Sequence, residues 1–167
     1  MKKTHKIAVL ICVVAVVAVI FFTKRMSDRP IVSDAETPLN ITEVTLEEIK
    51  AYGLPVIIDF GADSCIPCKE MAPVLINLNE EMQYRAVIQF VDVWKYPETA
   101  RDFPVQVIPT QVIFNADGTP YVPSAGLGIP MTMYSTKDTG EHIFTVHEGG
   151  LTEEQLRLIL DDMGVVA

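Results

Sequence analysis

Two cysteines three positions apart, Cys65-Ile66-Pro67-Cys68, carry the most evident chemistry of this 167-residue chain. The residues before them read as a buried strand and those after them as a helix, so the pair falls at a helix start. There the unpaired backbone N–H groups and the partial positive charge of the helix favour a thiolate at Cys65. Such surroundings lower a thiol pKa from ~8.5 toward ~7, which raises the thiolate fraction near neutrality and keeps the sulfur nucleophilic. Cys68 lies one helical turn further on, placed to attack a mixed disulfide formed at Cys65. Pro67 suits a first helical turn, where its missing N–H would have no partner. Other uses of the pair are weaker. A structural zinc site needs four ligands; there is no second Cys pair, and His5, His142 and His147 lack ligand spacing. A structural disulfide closing so short a loop restrains the unfolded chain little. A metal-handling or assembly module built on the two thiolates is the alternative outside enzymology, although Met131 and Met133 would reach them only through folding.

The flanking elements follow from pattern. Asn40–Val44 is a short strand candidate, and Thr45-Leu46-Glu47-Glu48 is a capping box opening a helix that stops at Gly53. Leu54–Phe60 is a short β-branched apolar run, the signature of a strand buried on both faces. Cys65 to about Tyr84 is predicted helical, with Met71, Val74, Leu75 and Leu78 on one face and Pro73 inside. Strands are predicted at Ala86–Trp94, Thr110–Phe114 and Ile143–His147, a short helix at Glu98–Phe103, and a turn at Asn115–Gly118. Thr152 with Gln155 forms a second capping box for a last helix running to about Met163. Strands alternating with helices imply an α/β domain with a central sheet covered by helices.

The N-terminus has its own logic. Lys2, Lys3 and Lys6 precede an unbroken apolar run, Ile7–Phe22, followed by Lys24 and Arg25. Sixteen helical residues span roughly 24 Å, and snorkelling lysines extend the fit to a bilayer core. No small-x-small cleavage site follows the run, which favours an uncleaved signal anchor over a removed signal peptide. The basic N-terminus favours a single pass with the C-terminal domain outside, a preference that Lys24 and Arg25 weaken. Cys12 reads as an apolar membrane residue. The expected organisation is therefore an anchor over residues 1–26, with the membrane segment at 7–23, a polar Pro-containing linker over 27–40, and one domain over 41–167. From Ile41 onward there are 7 Lys+Arg against 19 Asp+Glu, a formal charge of −12. That surface repels phosphate backbones and excludes nucleic acid as a partner.

Val56-Ile57-Ile58-Asp59-Phe60-Gly61-Ala62-Asp63-Ser64-Cys65-Ile66-Pro67-Cys68-Lys69-Glu70-Met71-Ala72-Pro73 resembles the active-site segment of thioredoxins, and Val107-Ile108-Pro109-Thr110 resembles their cis-proline loop. Gly149-Gly150-Leu151-Thr152 to Leu160 matches the family's ending. The resemblance implies a thioredoxin fold, a mixed sheet flanked by helices, over about Ile41 to Met163. It implies a protein-disulfide reductase in which Cys65 attacks, Cys68 resolves, and the two alternate between dithiol and disulfide. Asp59 matches the family's buried carboxylate, expected to accept the Cys68 proton with a pKa raised by burial. Pro109 is expected cis. Substrate chains are expected against Ile66, Pro67, Ile108 and Pro109, pairing with the backbone as an added strand. No cofactor and no metal is implied, and a monomer is expected. Within the family the chain most resembles small bacterial membrane-anchored members, extracytoplasmic and re-reduced through an integral-membrane thiol transporter. A disulfide-forming oxidant is the alternative enzyme.

The chain departs from the family in three places. Gly61 and Ser64 stand where tryptophans are usual, which makes the rim of the site less apolar. Phe90 aligns with the lysine that often partners the buried acid, leaving Asp59 without a cation. Between Gly118 and Gly149 the chain is longer by roughly 20 residues, placed at about 119–142. This apolar, Gly- and Pro-containing stretch is either a docking surface or an elongated hairpin packed on its own sheet.

Overall fold

The computed structural model describes Val16 and residues 36–165. The expected membrane segment at 7–23 lies outside the described residues but for Val16; among the described residues no helix is long and apolar enough to cross a membrane. Six strands form one mixed sheet: β1 (Asn40–Ile41), β2 (Val56–Gly61), β3 (Val87–Asp92), β4 (Thr110–Phe114), β5 (Thr132–Ser135) and β6 (His142–Glu148). Their order across the sheet is β1-β3-β2-β4-β6-β5. β1 and β2 run parallel to β3, and the β2–β4, β4–β6 and β6–β5 pairs are antiparallel. Three helices, α1 (Leu46–Tyr52), α2 (Ile66–Glu81) and α3 (Glu153–Asp162), and a 3₁₀ turn at Thr99–Asp102 complete the described domain.

The strands alternate their side chains between two apolar layers. On one face Ile57, Ile88 and Ile113 pack with Met71, Leu75 and Leu78 of α2 and with Leu156, Ile159 and Leu160 of α3. On the other, Ile58, Phe60, Val91, Val112 and Phe144 pack with Ile49 of α1 and with Phe103. Each such side chain removed from water contributes about 1.5–3 kcal/mol, which is what holds helix starts and strand ends in place around the cysteines. Both capping boxes form: Thr45 with Glu48, and Thr152 with Gln155.

Several boundaries differ from the sequence reading, each for a local reason. β1 ends at Ile41 rather than Val44, because the Thr42 carbonyl accepts from Thr99 Oγ1 at 2.7 Å instead of joining the sheet. β3 ends at Asp92 rather than Trp94, because the Asp92 carboxylate takes the N–H groups of Trp94 and Lys95, each at 3.0 Å, into a turn. The expected helix at 98–103 is a 3₁₀ turn; Phe103 precedes Pro104 and is extended. α2 continues through Pro73 and ends at Glu81, short of Tyr84, which has a left-handed φ of 65°. β5 was not expected: four residues between Gly- and Pro-containing turns give no periodicity to read.

β5 belongs to the long segment after Gly118, and that segment packs on its own sheet. Tyr121 is buried, its hydroxyl donates to Asp162, and its carbonyl accepts from Thr145 Oγ1 at 2.5 Å. Ile129 is buried in the α2–α3 layer, and the Pro130 carbonyl lies 2.8 Å from His147 Nδ1.

Candidate active site

The cysteines sit where β2 hands over to α2. Cys65 is the N-cap residue of α2 with extended backbone (φ −78°, ψ 126°), and its sulfur accepts from the Cys68 backbone N–H at 3.4 Å. Pro67 lies in the first turn, where the sequence places it. Cys65 and Cys68 are joined as a disulfide, with their Cα atoms 5.3 Å apart. The two sulfurs are not equivalent. Cys65 is half-buried and faces outward, whereas Cys68 is 4% exposed beneath it. A visiting chain therefore meets Cys65 first.

The loop before the cysteines is clamped from β3. The buried Asp92 carboxylate accepts from the N–H of Asp63 at 3.1 Å as well as from Trp94 and Lys95, and the Gly61 carbonyl accepts from Val93 N–H at 2.9 Å. Burial pushes the Asp92 carboxyl up, but the three backbone donors and Lys95 outweigh it and hold the pKa below the usual range. Lys95 also pairs with Asp63 across the loop.

A second loop faces Cys65. The Ile108–Pro109 peptide is cis, and the Ile108 carbonyl oxygen lies 3.9 Å from Cys65 Sγ. Thr110 Oγ1 donates to the Val107 carbonyl, and Gly149 N–H donates to the Pro109 carbonyl, both at 2.8 Å, so the loop is braced from both sides. Ile66 (71% exposed), Pro67 and Val107 (51% exposed) surround the accessible sulfur with apolar surface. The four residues expected to touch substrate, Ile66, Pro67, Ile108 and Pro109, thus border Cys65, with Pro109 buried under the loop.

Asp59 lies under the pair on β2, between Phe90 of β3 and Gln111 of β4 in the sheet register. It is fully buried. Gln111 Nε2 donates to its Oδ1 at 2.6 Å, while Oδ2 has no hydrogen-bond partner. Burial pushes the Asp59 pKa up to about 7, against the opposing pull of Gln111. Gly61 makes the approach possible. A Cβ there would stand 3.2 Å from Cys68 Sγ, 3.3 Å from Asp59 Oδ2 and 2.8 Å from the Phe90 ring. The Cys68 sulfur and the Asp59 carboxyl thus border one small space that glycine leaves open. Beside Cys68 a cleft of about 160 Å³ opens between Ala62, Leu75 and Phe90.

Sequence reasoning missed Gln111 and Asp92. Both are polar residues within or at the end of apolar strands, the same signal that marks Asp59, but their roles depend on register and on loop closure. The described residues contain no group of three or more His, Cys, Asp or Glu side chains gathered to hold a metal.

A disulfide of closely spaced cysteines at a strand–helix junction, with one sulfur accessible and facing a cis-proline loop, is the arrangement of a thiol–disulfide redox protein. The Thioredoxin family model matches residues 41–126. The chain is 36% identical over 89 residues to a thioredoxin of Mycobacterium tuberculosis, covering 53% of this chain and 76% of that one. It is 42% identical over 71 residues to thioredoxin 1 of Chlorobaculum tepidum, covering 42% of this chain and 70% of that one. Among solved structures, chloroplastic thioredoxin z superposes with a TM-score of 0.54 at 25% identity, over 79% of this chain and 98% of the other. This chain belongs to the thioredoxin family, and Cys65–Cys68 is its redox pair.

Proposed function

We propose that the protein reduces disulfides of extracytoplasmic proteins, held at a bacterial membrane by residues 7–23 and re-reduced by an integral-membrane thiol transporter. The observation that carries the thiol–disulfide exchange is the asymmetry of the pair, an accessible sulfur beside the cis-proline loop and a second sulfur buried behind it; the reducing direction rests on the resemblance. The Cys65 thiolate attacks one sulfur of a substrate disulfide, forming a mixed disulfide and expelling the other substrate sulfur as a thiolate. The substrate backbone beside Cys65 pairs with the edge at Ile108, while Ile66, Pro67 and Pro109 shape the apolar contact. Cys68 then gives its proton to the Asp59 carboxylate, across the space that Gly61 leaves open, and attacks Cys65 Sγ. The second substrate thiolate departs and the Cys65–Cys68 disulfide forms, so two electrons pass from the dithiol to the substrate. Transfer of two electrons from a membrane dithiol restores the starting state. The anchor, the topology and the donor rest on the Lys-flanked apolar run and on the resemblance to anchored family members.

The test is a redox titration of the intact chain in detergent, with disulfide reduction assayed alongside. A potential near about −270 mV supports a reductant, and one near about −120 mV an oxidant. Cys65→Ser is expected to abolish turnover, and Cys68→Ser to accumulate a mixed disulfide seen on non-reducing gels. Turnover by Cys65→Ser at the wild-type rate would overturn the mechanism.

A further inference from the structure

A buried carboxyl that takes up a proton in one half of a cycle and sheds it in the other needs a neighbour that accommodates both forms. Gln111 has the geometry for this. It is fully buried on β4, directly opposite Asp59 in the register. Its Nε2 donates to Asp59 Oδ1 at 2.6 Å and lies 3.6 Å from Met71 Sδ. Its Oε1 has no partner, nor does Asp59 Oδ2. Of the three buried side-chain acceptors without a partner among the described residues, two meet at this contact, the third being Gln89 Oε1 on β3; each costs of order 1–3 kcal/mol and calls for an explanation.

The amide has a donor end and an acceptor end. With Nε2 toward Asp59 it holds the carboxylate. Turned about its last torsion, it presents Oε1 to the O–H of the carboxylic acid. A lysine in that place would favour the ionised form alone. The other groups facing Asp59 do not substitute for it. β3 contributes the Phe90 ring, and α2 contributes Cys68, with Lys69 at the mouth of the cleft. The loop after β2 contributes Asp63, which is exposed and paired with Lys95, and Asp92 at the end of β3 is engaged by backbone N–H groups. His147 on β6 lies one strand beyond Gln111 and bonds to Pro130.

We propose that Gln111 is a positioning residue for the resolving step, its side-chain amide holding Asp59 as carboxylate and, turned over, as acid. This rests on the reading of Asp59 as acceptor of the Cys68 proton. The test uses the full chain with Gln111→Met, which keeps length and removes both hydrogen-bonding ends, and Gln111→Glu, which sets a second carboxyl beside the first. The Asp59 titration is followed by its carboxyl infrared absorption, assigned by difference from Asp59→Asn. The rate of mixed-disulfide release is followed against pH in parallel. Of the two bonds the amide can make to Asp59, the one to the charged carboxylate is the stronger, so in Gln111→Met the midpoint is expected to rise about tenfold in proton affinity, about one pH unit, and the pH profile of release to move with it. In Gln111→Glu the pair is expected to lose its protons in two steps, the later one above the wild-type midpoint. An unmoved midpoint in either variant that melts cooperatively overturns the proposal, as does failure of both to fold, which would make Gln111 a packing residue. A midpoint that moves while the release profile stays fixed leaves the Gln111 contact standing and refutes Asp59 as the proton acceptor.

Discussion

Replacing Asp59 with asparagine removes a carboxyl group that folding carries out of water. Its pKa rises from 3.8 to about 7 on folding, so ionising it in the native state opposes stability by about 4 kcal/mol at high pH. The sign follows from proton counts. Between pH ~4 and ~7 the native state holds a proton that the unfolded chain has released. Wild-type stability therefore falls through that window and levels off above it, as far as this group is concerned. Asparagine keeps an acceptor for Gln111 Nε2 but places an N–H₂ where Oδ2 has no partner, at a cost of about 1–3 kcal/mol. The net expectation at pH 9 is a variant more stable by about 1–3 kcal/mol, and at pH 4 one that is less stable. The assay is urea unfolding of both proteins with the disulfide intact, from pH 4 to pH 9. The difference between the two curves cancels the other titrating groups and the constant packing cost. It should change by about 4 kcal/mol across the window. Parallel curves would refute the claim that Asp59 is a desolvated, proton-binding group. The same substitution is expected to slow resolution of the mixed disulfide while leaving the attack of Cys65 in place.

Three further outcomes test the surroundings of the pair and the packing of the 119–131 segment. Gly61→Ala places a Cβ 2.8 Å from the Phe90 ring and is expected to cost about 1–3 kcal/mol in urea unfolding, with much of the loss recovered in the Gly61→Ala/Phe90→Leu double variant. Asp92→Ala leaves the N–H groups of Asp63 and Trp94 without their acceptor and Lys95 N–H with the Asp92 backbone carbonyl alone, and is expected to cost about 2–4 kcal/mol at neutral pH; since the Asp92 pKa is lowered on folding, its contribution in wild type fades as pH falls through that lowered value, and the two proteins should converge in acid. Tyr121→Phe removes the hydroxyl that donates to Asp162 and is expected to lower stability by about 1–2 kcal/mol, with release of the 119–131 segment read as faster hydrogen exchange at Ser124, whose N–H also bonds Asp162.

The apolar runs, the two capping boxes and the Cys-x-x-Cys at a strand–helix junction were all legible in the chain, because each is a local pattern of a few consecutive residues. Cys65 at the helix N-cap, the last helix behind Thr152 and the buried Asp59 follow from such patterns, and Pro109 was placed by resemblance. What local pattern could not supply is which residue stands opposite which. Only the β2–β4 register sets Gln111 against Asp59, and only the β2–β3 register sets Phe90 there from the other side. Asp92 acts on the loop at 61–64 from 29 positions away, through closure that no periodicity reports. The 119–142 segment was ambiguous for the same reason. Its apolar residues suit a surface or a core equally, and burial of Tyr121 and Ile129 beside α3 is decided by the space the rest of the fold leaves. The sequence by itself determined the reactive groups and the elements that carry them. The tertiary structure decided their protonation, because proton affinity depends on burial and on neighbours brought together from distant parts of the chain.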